Sequence, residues 1–98
     1  MAWRIKLKDG FFRTVDCSLT LKGDFLSLMP HEKKRHPSLK LKLQEIESIS
    51  LNRKNQPYPE LEIRTHERVL VAQVTDTADE EDLILELNTV FHSRFYVV

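Results

Sequence analysis

Cysteine occurs once, at Cys17, and a single thiol closes no disulfide within the chain. A lone thiol fits a reducing compartment, so a cytoplasmic, intracellular protein is expected. Glycine occurs twice, at Gly10 and Gly23, each next to an aspartate, which reads as turn chemistry. There is no glycine-rich phosphate loop, no Gly-x-Ser-x-Gly and no His-Glu-x-x-His. No catalytic residue and no cofactor are therefore assigned, and the chain is not expected to be an enzyme. No apolar run approaches the roughly 20 residues of a spanning helix. The opening residues, from Met1 to Lys6, alternate too strictly for the apolar stretch of a secretory leader. Neither sign of charge is in excess, with 15 Lys/Arg against 15 Asp/Glu. A general nucleic-acid binder carries a basic excess, so nucleic acid is not a favoured partner.

What is present suffices for one domain spanning residues 1–98. The hydrophobic share is 41%, enough for a core. A chain of this size buries roughly 60 to 70% of the surface that its unfolded form exposes, so it folds without staples. The charge is unevenly spread. Residues 1–42 hold ten Lys/Arg and four Asp/Glu, a net of +6; residues 43–98 hold five and eleven, a net of −6. Such polarity gives a dipolar surface, head-to-tail association, or nothing once strands from both halves intermix.

Period-two alternation dominates residues 3–74 and predicts strands there. Trp3, Ile5 and Leu7 alternate with Arg4, Lys6 and Lys8, giving one buried face and one cationic face. Asp9-Gly10 reads as a two-residue hairpin turn. A second strand then runs from Phe11 to about Leu21, with Val15, Cys17, Leu19 and Leu21 inward. Cys17 reads as a small core residue. Lys22 to Asp24 form a turn into a third strand, Phe25–Met29, which Pro30 ends. Residues 30–38 form a polar loop holding the longest basic cluster. Leu39, Leu41 and Leu43 mark a fourth strand, with a small kink at Gln44 and Glu45. Ile46, Ile49 and Leu51 mark a fifth, whose irregular period reads as a bulge or a one-residue turn. Strands six and seven are Glu60–Thr65 and Arg68–Val74. The seventh is apolar on both faces and reads as lying under a cover.

That cover is a C-terminal helix over about residues 78–94. Thr77 and Glu80 match a capping box. Asp79, Glu80, Glu81 and Asp82 place negative charge at the positive end of the helix dipole. Ile84, Leu87, Phe91 and Phe95 form one apolar stripe flanked by Leu83 and Val90.

Seven short strands and one amphipathic C-terminal helix resemble the pleckstrin-homology (PH) superfold. The matching features are the hairpin at Asp9-Gly10, the turn from Lys22 to Leu26, the run from Gln44 to Ile49, and the last hairpin leading into the helix. The resemblance implies a mainly β fold with one C-terminal α-helix. Two orthogonal antiparallel sheets would form a partly open barrel capped by that helix. The superfold hosts many unrelated functions, so the fold alone does not set the role. In this chain Phe91 or Val90 takes the place of the tryptophan that the family's helix usually carries. A first loop as short as Asp9-Gly10 leaves little backbone to wrap a phosphorylated headgroup.

Three readings of function follow. The first is an interaction module that binds a protein partner. Tyr58, stiffened between Pro57 and Pro59, is a candidate contact, as are Phe95 and Tyr96 in the apolar tail. An extended peptide laid against strand five, read as an edge strand, is one such mode. The second is peripheral attachment to an anionic membrane or phosphoinositide through a cationic rim of Lys6, Lys8, Arg13, Lys33, Lys34 and Arg35. Each such charge is worth about 1 kcal/mol near an anionic surface. The third is a small structural or regulatory protein that self-associates through strand edges or the tail. His31, Glu32, His36 and His66 are metal-binding types, but their spacing is not that of a zinc site, so no metal is expected.

Overall fold

Alternation decides the register of the first hairpin, and with it the start of the sheet. The computed structural model describes residues 2–9, 13–32, 37–54, 57–76 and 80–98. Strand β1, Ala2–Lys8, pairs antiparallel with β2, Thr14–Lys22. Trp3 faces Leu19, Ile5 faces Cys17 and Lys8 faces Thr14, and the Asp9 amide donates to the Arg13 carbonyl at 2.9 Å. The connection is thus five residues long, not the expected two. A two-residue turn at Asp9-Gly10 would set Ile5 against Thr14 and Trp3 against Asp16. Each apolar side chain would then face a polar partner, and a one-residue slip inverts a whole face in this way. Residues 10–12, including the expected strand start at Phe11, lie outside the described residues.

The remaining strands are β3 (Phe25–Pro30), β4 (Leu39–Lys42), β5 (Ile46–Asn52), β6 (Glu60–Thr65) and β7 (Val69–Val74). Gly23 has φ +59 in the β2–β3 turn, a conformation that a side chain would oppose. A 3₁₀ turn at Leu43–Glu45 stands where the kink is expected. The predicted bulge in β5 appears as a register shift between Ile46 and Ser48. β7 departs from its reading. Ala72 and Val74 are buried, whereas on the other face Val69 is 44% exposed and Val71 and Gln73 are only partly buried.

The helix α1, Glu80–Phe91, is shorter than expected. His92 adopts φ 52, the left-handed conformation that commonly ends a helix. A second 3₁₀ turn, His92–Arg94, follows, and the chain continues as an eighth strand, β8, Phe95–Val97. The buried helical residues are Leu83, Leu87 and Phe91, together with Glu80; Ile84 is only partly buried. Phe95 is buried as expected, but from a strand. The proposed cap residue Thr77 lies outside the described residues. Glu80, its expected partner, turns its carboxylate to Arg53 at 2.7 Å.

All eight strands form one sheet in the order β4-β3-β2-β1-β7-β6-β5-β8. Neighbours are antiparallel except β5 and β8, which are parallel. β4 and β5 therefore stand six places apart, yet only Leu43–Glu45 joins them. Three residues span about 10 Å, so the sheet has to curl until its ends approach. The core lies inside that curl. Trp3, Ile5, Leu19, Leu28, Ile49 and Ile63 meet Leu83, Leu87 and Phe91 there.

Arg94 fastens the turn that closes the curl. Its guanidinium donates to the carbonyls of Leu43 (3.0 Å) and Ile46 (2.8 Å) and lies over the Phe91 ring at 5.2 Å. A hydrogen bond from a charged donor contributes roughly 1.5–3 kcal/mol. Arg94→Leu is expected to lower unfolding free energy by about 2–4 kcal/mol, read as a shifted denaturation midpoint. Leu87→Ala is expected to cost about 2–5 kcal/mol. Leu87→Asp should remove the cooperative transition altogether; a stable, folded Leu87→Asp protein would show that α1 is not part of the core.

Candidate functional site

The two ends of the sheet differ in chemistry. β4 is a short edge strand carrying Lys40 and Lys42, both exposed, and charge of this kind blunts an edge. At the other end β8 carries no charge. Tyr96, Val97 and Val98 are 52%, 44% and 47% exposed. The Val98 amide donates to Leu51 at 2.9 Å, and the Val98 carbonyl accepts from Arg53 at 3.5 Å. Successive residues of a strand turn their backbone groups to opposite sides. With Tyr96 and Val98 facing β5, Val97 turns its N–H and C=O outward. The Phe95 amide is used by the His92 carbonyl, which leaves the Phe95 carbonyl on the same outer edge. The edge thus offers one donor and two acceptors beside uncharged side chains.

This arrangement corrects the reading of strand five. β5 is not an edge, because the chain's own tail lies along it in parallel register, with Ile49 opposite Phe95 and Leu51 opposite Val97. A peptide cannot share that position. Phe95, 5% exposed, anchors β8 in the core and is not a surface contact. Tyr96 is exposed, and so is Tyr58, 41%, in the β5–β6 connection. β8 ends beside that connection, as the Arg53–Val98 bond shows.

The basic residues are placed on the outer face and partly matched. Lys6 and Lys8 project outward from β1, joined by Arg4, and Arg13 is exposed at the start of β2. Lys8 Nζ lies 2.8 Å from Glu60 Oε2, and Asp16 stands opposite Lys6 in the register. Lys33, Lys34 and Arg35 lie outside the described residues. The two loops do share an end of the sheet, since Asp9 and Pro37 line one cavity. The short first loop, which disfavoured a phosphorylated headgroup, is replaced by the five-residue connection. His31 and His66 lie apart. His31 Nε2 is 3.0 Å from the Ser18 hydroxyl, and His66 Nδ1 is 2.6 Å from Glu47. His36 lies outside the described residues.

Among the described residues, three hollows bear on the question of a site. One, of about 220 Å³, opens at the end bearing the first loop; Leu7, Cys17, Leu28 and Leu39 line it, with Lys8, Asp9 and Arg68. A second, of about 380 Å³, lies between β4 and the β6–β7 turn, and Lys40, Glu45, His66 and Glu67 make it largely charged. A third, of about 230 Å³, is bordered by Arg4, Lys6, Asp16 and His31. Among the described residues, Trp3 Nε1 and Asp82 Oδ2 are buried without a hydrogen-bond partner.

No protein-family model and no curated protein matches the chain. Among the described residues, no helix is long and apolar enough to cross a membrane.

Cys17 is wholly buried. Desolvation pushes its thiol above the ordinary value of 9.0, and the charge of Asp16 adds to the effect. The folded protein therefore keeps a proton that the unfolded chain has already lost. The stability gained is full below about pH 9 and is lost as pH rises through the folded value. Unfolding midpoints measured from about pH 8 to 11 should fall more steeply for the wild type than for Cys17→Ala. Parallel curves would remove Cys17 as the cause.

Proposed function

We propose that this protein is a non-catalytic interaction module of the pleckstrin-homology type. It binds a partner protein by accepting an extended segment along the outer edge of β8. The order β4-β3-β2-β1-β7-β6-β5 is what a barrel of two orthogonal sheets requires when β1 bridges both sheets, and this supports the architecture. In such a barrel α1 plugs one end.

The observation that carries the binding mode is the open, uncharged edge of β8. Strand addition draws affinity from main-chain hydrogen bonds and specificity from alternate side chains. Val97 supplies the main-chain groups, and Tyr96 and Val98 supply the side chains. Lys54, exposed in the adjoining connection, favours an acidic residue beside the apolar segment. Uncharged edges of this kind are the ones that natural sheets otherwise protect. Weighing against attachment to an anionic membrane, Lys8 is already bound to Glu60 and Asp16 faces Lys6. Pairing of two copies through the same edge is the competing use of β8.

Val97→Pro tests the mode directly. Proline removes the outward N–H of Val97, which donates nothing to β5, and it is tolerated on edge strands. Tyr96, the residue before it, is already extended, as proline demands. A short synthetic peptide of alternating valine and threonine, ending in glutamate, is expected to bind the wild type and slow exchange of the Val97 amide. Val97→Pro should retain the thermal midpoint and lose the peptide. Equal binding by both proteins would rule strand addition out. Concentration-dependent light scattering that disappears in Val97→Pro would instead assign the edge to self-pairing.

A further inference from the structure

The hollow of about 220 Å³ beside the first loop has mainly apolar walls and, among the described residues, two rim charges that join no ion pair. Leu7, Leu28, Leu39 and Leu70 form walls around the buried Cys17. Lys8, Asp9 and Arg68 carry the rim's charge. Lys8 is neutralised by Glu60. Among the described residues, ion pairs join Lys8, Arg53, Arg64 and His66 to glutamates, and neither Asp9 nor Arg68 takes part in any. What remains is an open, mainly apolar hollow whose rim, among the described residues, holds one carboxylate and one guanidinium that join no ion pair.

We propose that this chamber binds a free α-amino acid with an apolar side chain. Its ammonium group meets Asp9, its carboxylate meets the fork of Arg68, and its side chain enters the chamber. Charge complementarity selects the zwitterion. A simple carboxylic acid would satisfy Arg68 but confront Asp9, and a simple amine would do the reverse. A planar guanidinium receives a carboxylate through two parallel hydrogen bonds. Size sets the side chain. An apolar cavity of about 150 Å³ holds benzene, so 220 Å³ accommodates leucine, methionine or phenylalanine. Arg68 also borders the larger hollow beside the β6–β7 turn, but there Leu41 is the one aliphatic residue of the lining, among Lys40, Glu45, His66 and Glu67. Neither Asp9 nor Arg68 lies on β8, so this site is independent of strand addition.

Calorimetric titration with L-phenylalanine, N-acetyl-L-phenylalanine and L-phenylalaninamide tests the assignment. The free amino acid is expected to saturate with a dissociation constant of about 1 mM or tighter. Each blocked derivative should bind roughly fivefold more weakly, the scale of one exposed ion pair. Arg68→Gln should erase the preference for the free acid over the amide. Asp9→Asn should erase the preference for the free amine over the acetylated form. Both residues are exposed, so both variants keep the fold. Val15→Phe, which fills the chamber, should abolish binding of all three compounds; should it fail to fold, the two rim variants decide the matter. Absence of saturable binding by L-phenylalanine, L-leucine and L-methionine up to about 10 mM overturns the proposal. So does equal binding of the free and blocked compounds.

Discussion

Only three residues, Leu43–Glu45, join strands that stand at positions one and seven of the sheet. A flat sheet places strands about 4.8 Å apart, so six intervals amount to roughly 29 Å. Three residues reach about 10 Å. The sheet must therefore bend around its apolar face, and the bend creates the interior that Leu83, Leu87 and Phe91 fill. Arg94 then binds the connection from the far end of the chain, through the carbonyls of Leu43 and Ile46. Closure and the C-terminus are thus fixed by the same guanidinium.

The position of β8 follows from the end of the helix. Had α1 continued to Arg94, Phe95 would have stayed on its apolar stripe. His92 reverses the chain instead, and the 3₁₀ turn returns it to β5. Phe95 keeps its place in the core while its neighbours become an edge. The tail therefore removes one binding edge, that of β5, and creates another. The new edge differs in kind, since it presents a single outward residue, Val97, rather than the full length of a seven-residue strand. With so few main-chain groups on offer, each hydrogen bond of Val97 matters, and Tyr96 and Val98 set which segment fits.

Most of the strands were legible because each has one wet and one dry face. Trp3, Ile5, Cys17, Leu19, Leu61 and Ile63 are buried as their alternation requires. The first turn departs from its local Asp-Gly signal, and the flanking strands carry the reason. Odd positions are apolar on both β1 and β2, and antiparallel strands match odd to odd only across an odd-numbered loop. The Asp-Gly signal was local; the register it implied conflicted with the pattern on either side. The eighth strand was hidden for another reason. Phe91 and Phe95 are four apart, which satisfies a helical stripe, and a three-residue strand has too few positions to show alternation. The free edge and the apolar chamber both depend on that curl and that return, so no single segment carried their signal.

The charge asymmetry between the two halves shows how topology rewrites a compositional signal. β1 from the basic half is bonded to β7 from the acidic half. Lys8 meets Glu60 across 52 residues of sequence. Cross-strand contact between the halves thus neutralises part of what looked like a cationic rim. Exposed pairs of this sort contribute about 0–1 kcal/mol to stability. Their larger effect is on recognition, because a matched charge attracts an outside partner far less than a free one. Binding is then to be sought where matching is incomplete. Among the described residues, two places of this kind are an edge whose backbone groups have no strand beside them and a rim where Asp9 and Arg68 join no ion pair. The first suits a peptide and the second a zwitterion, and neither needs the net charge that the composition lacks.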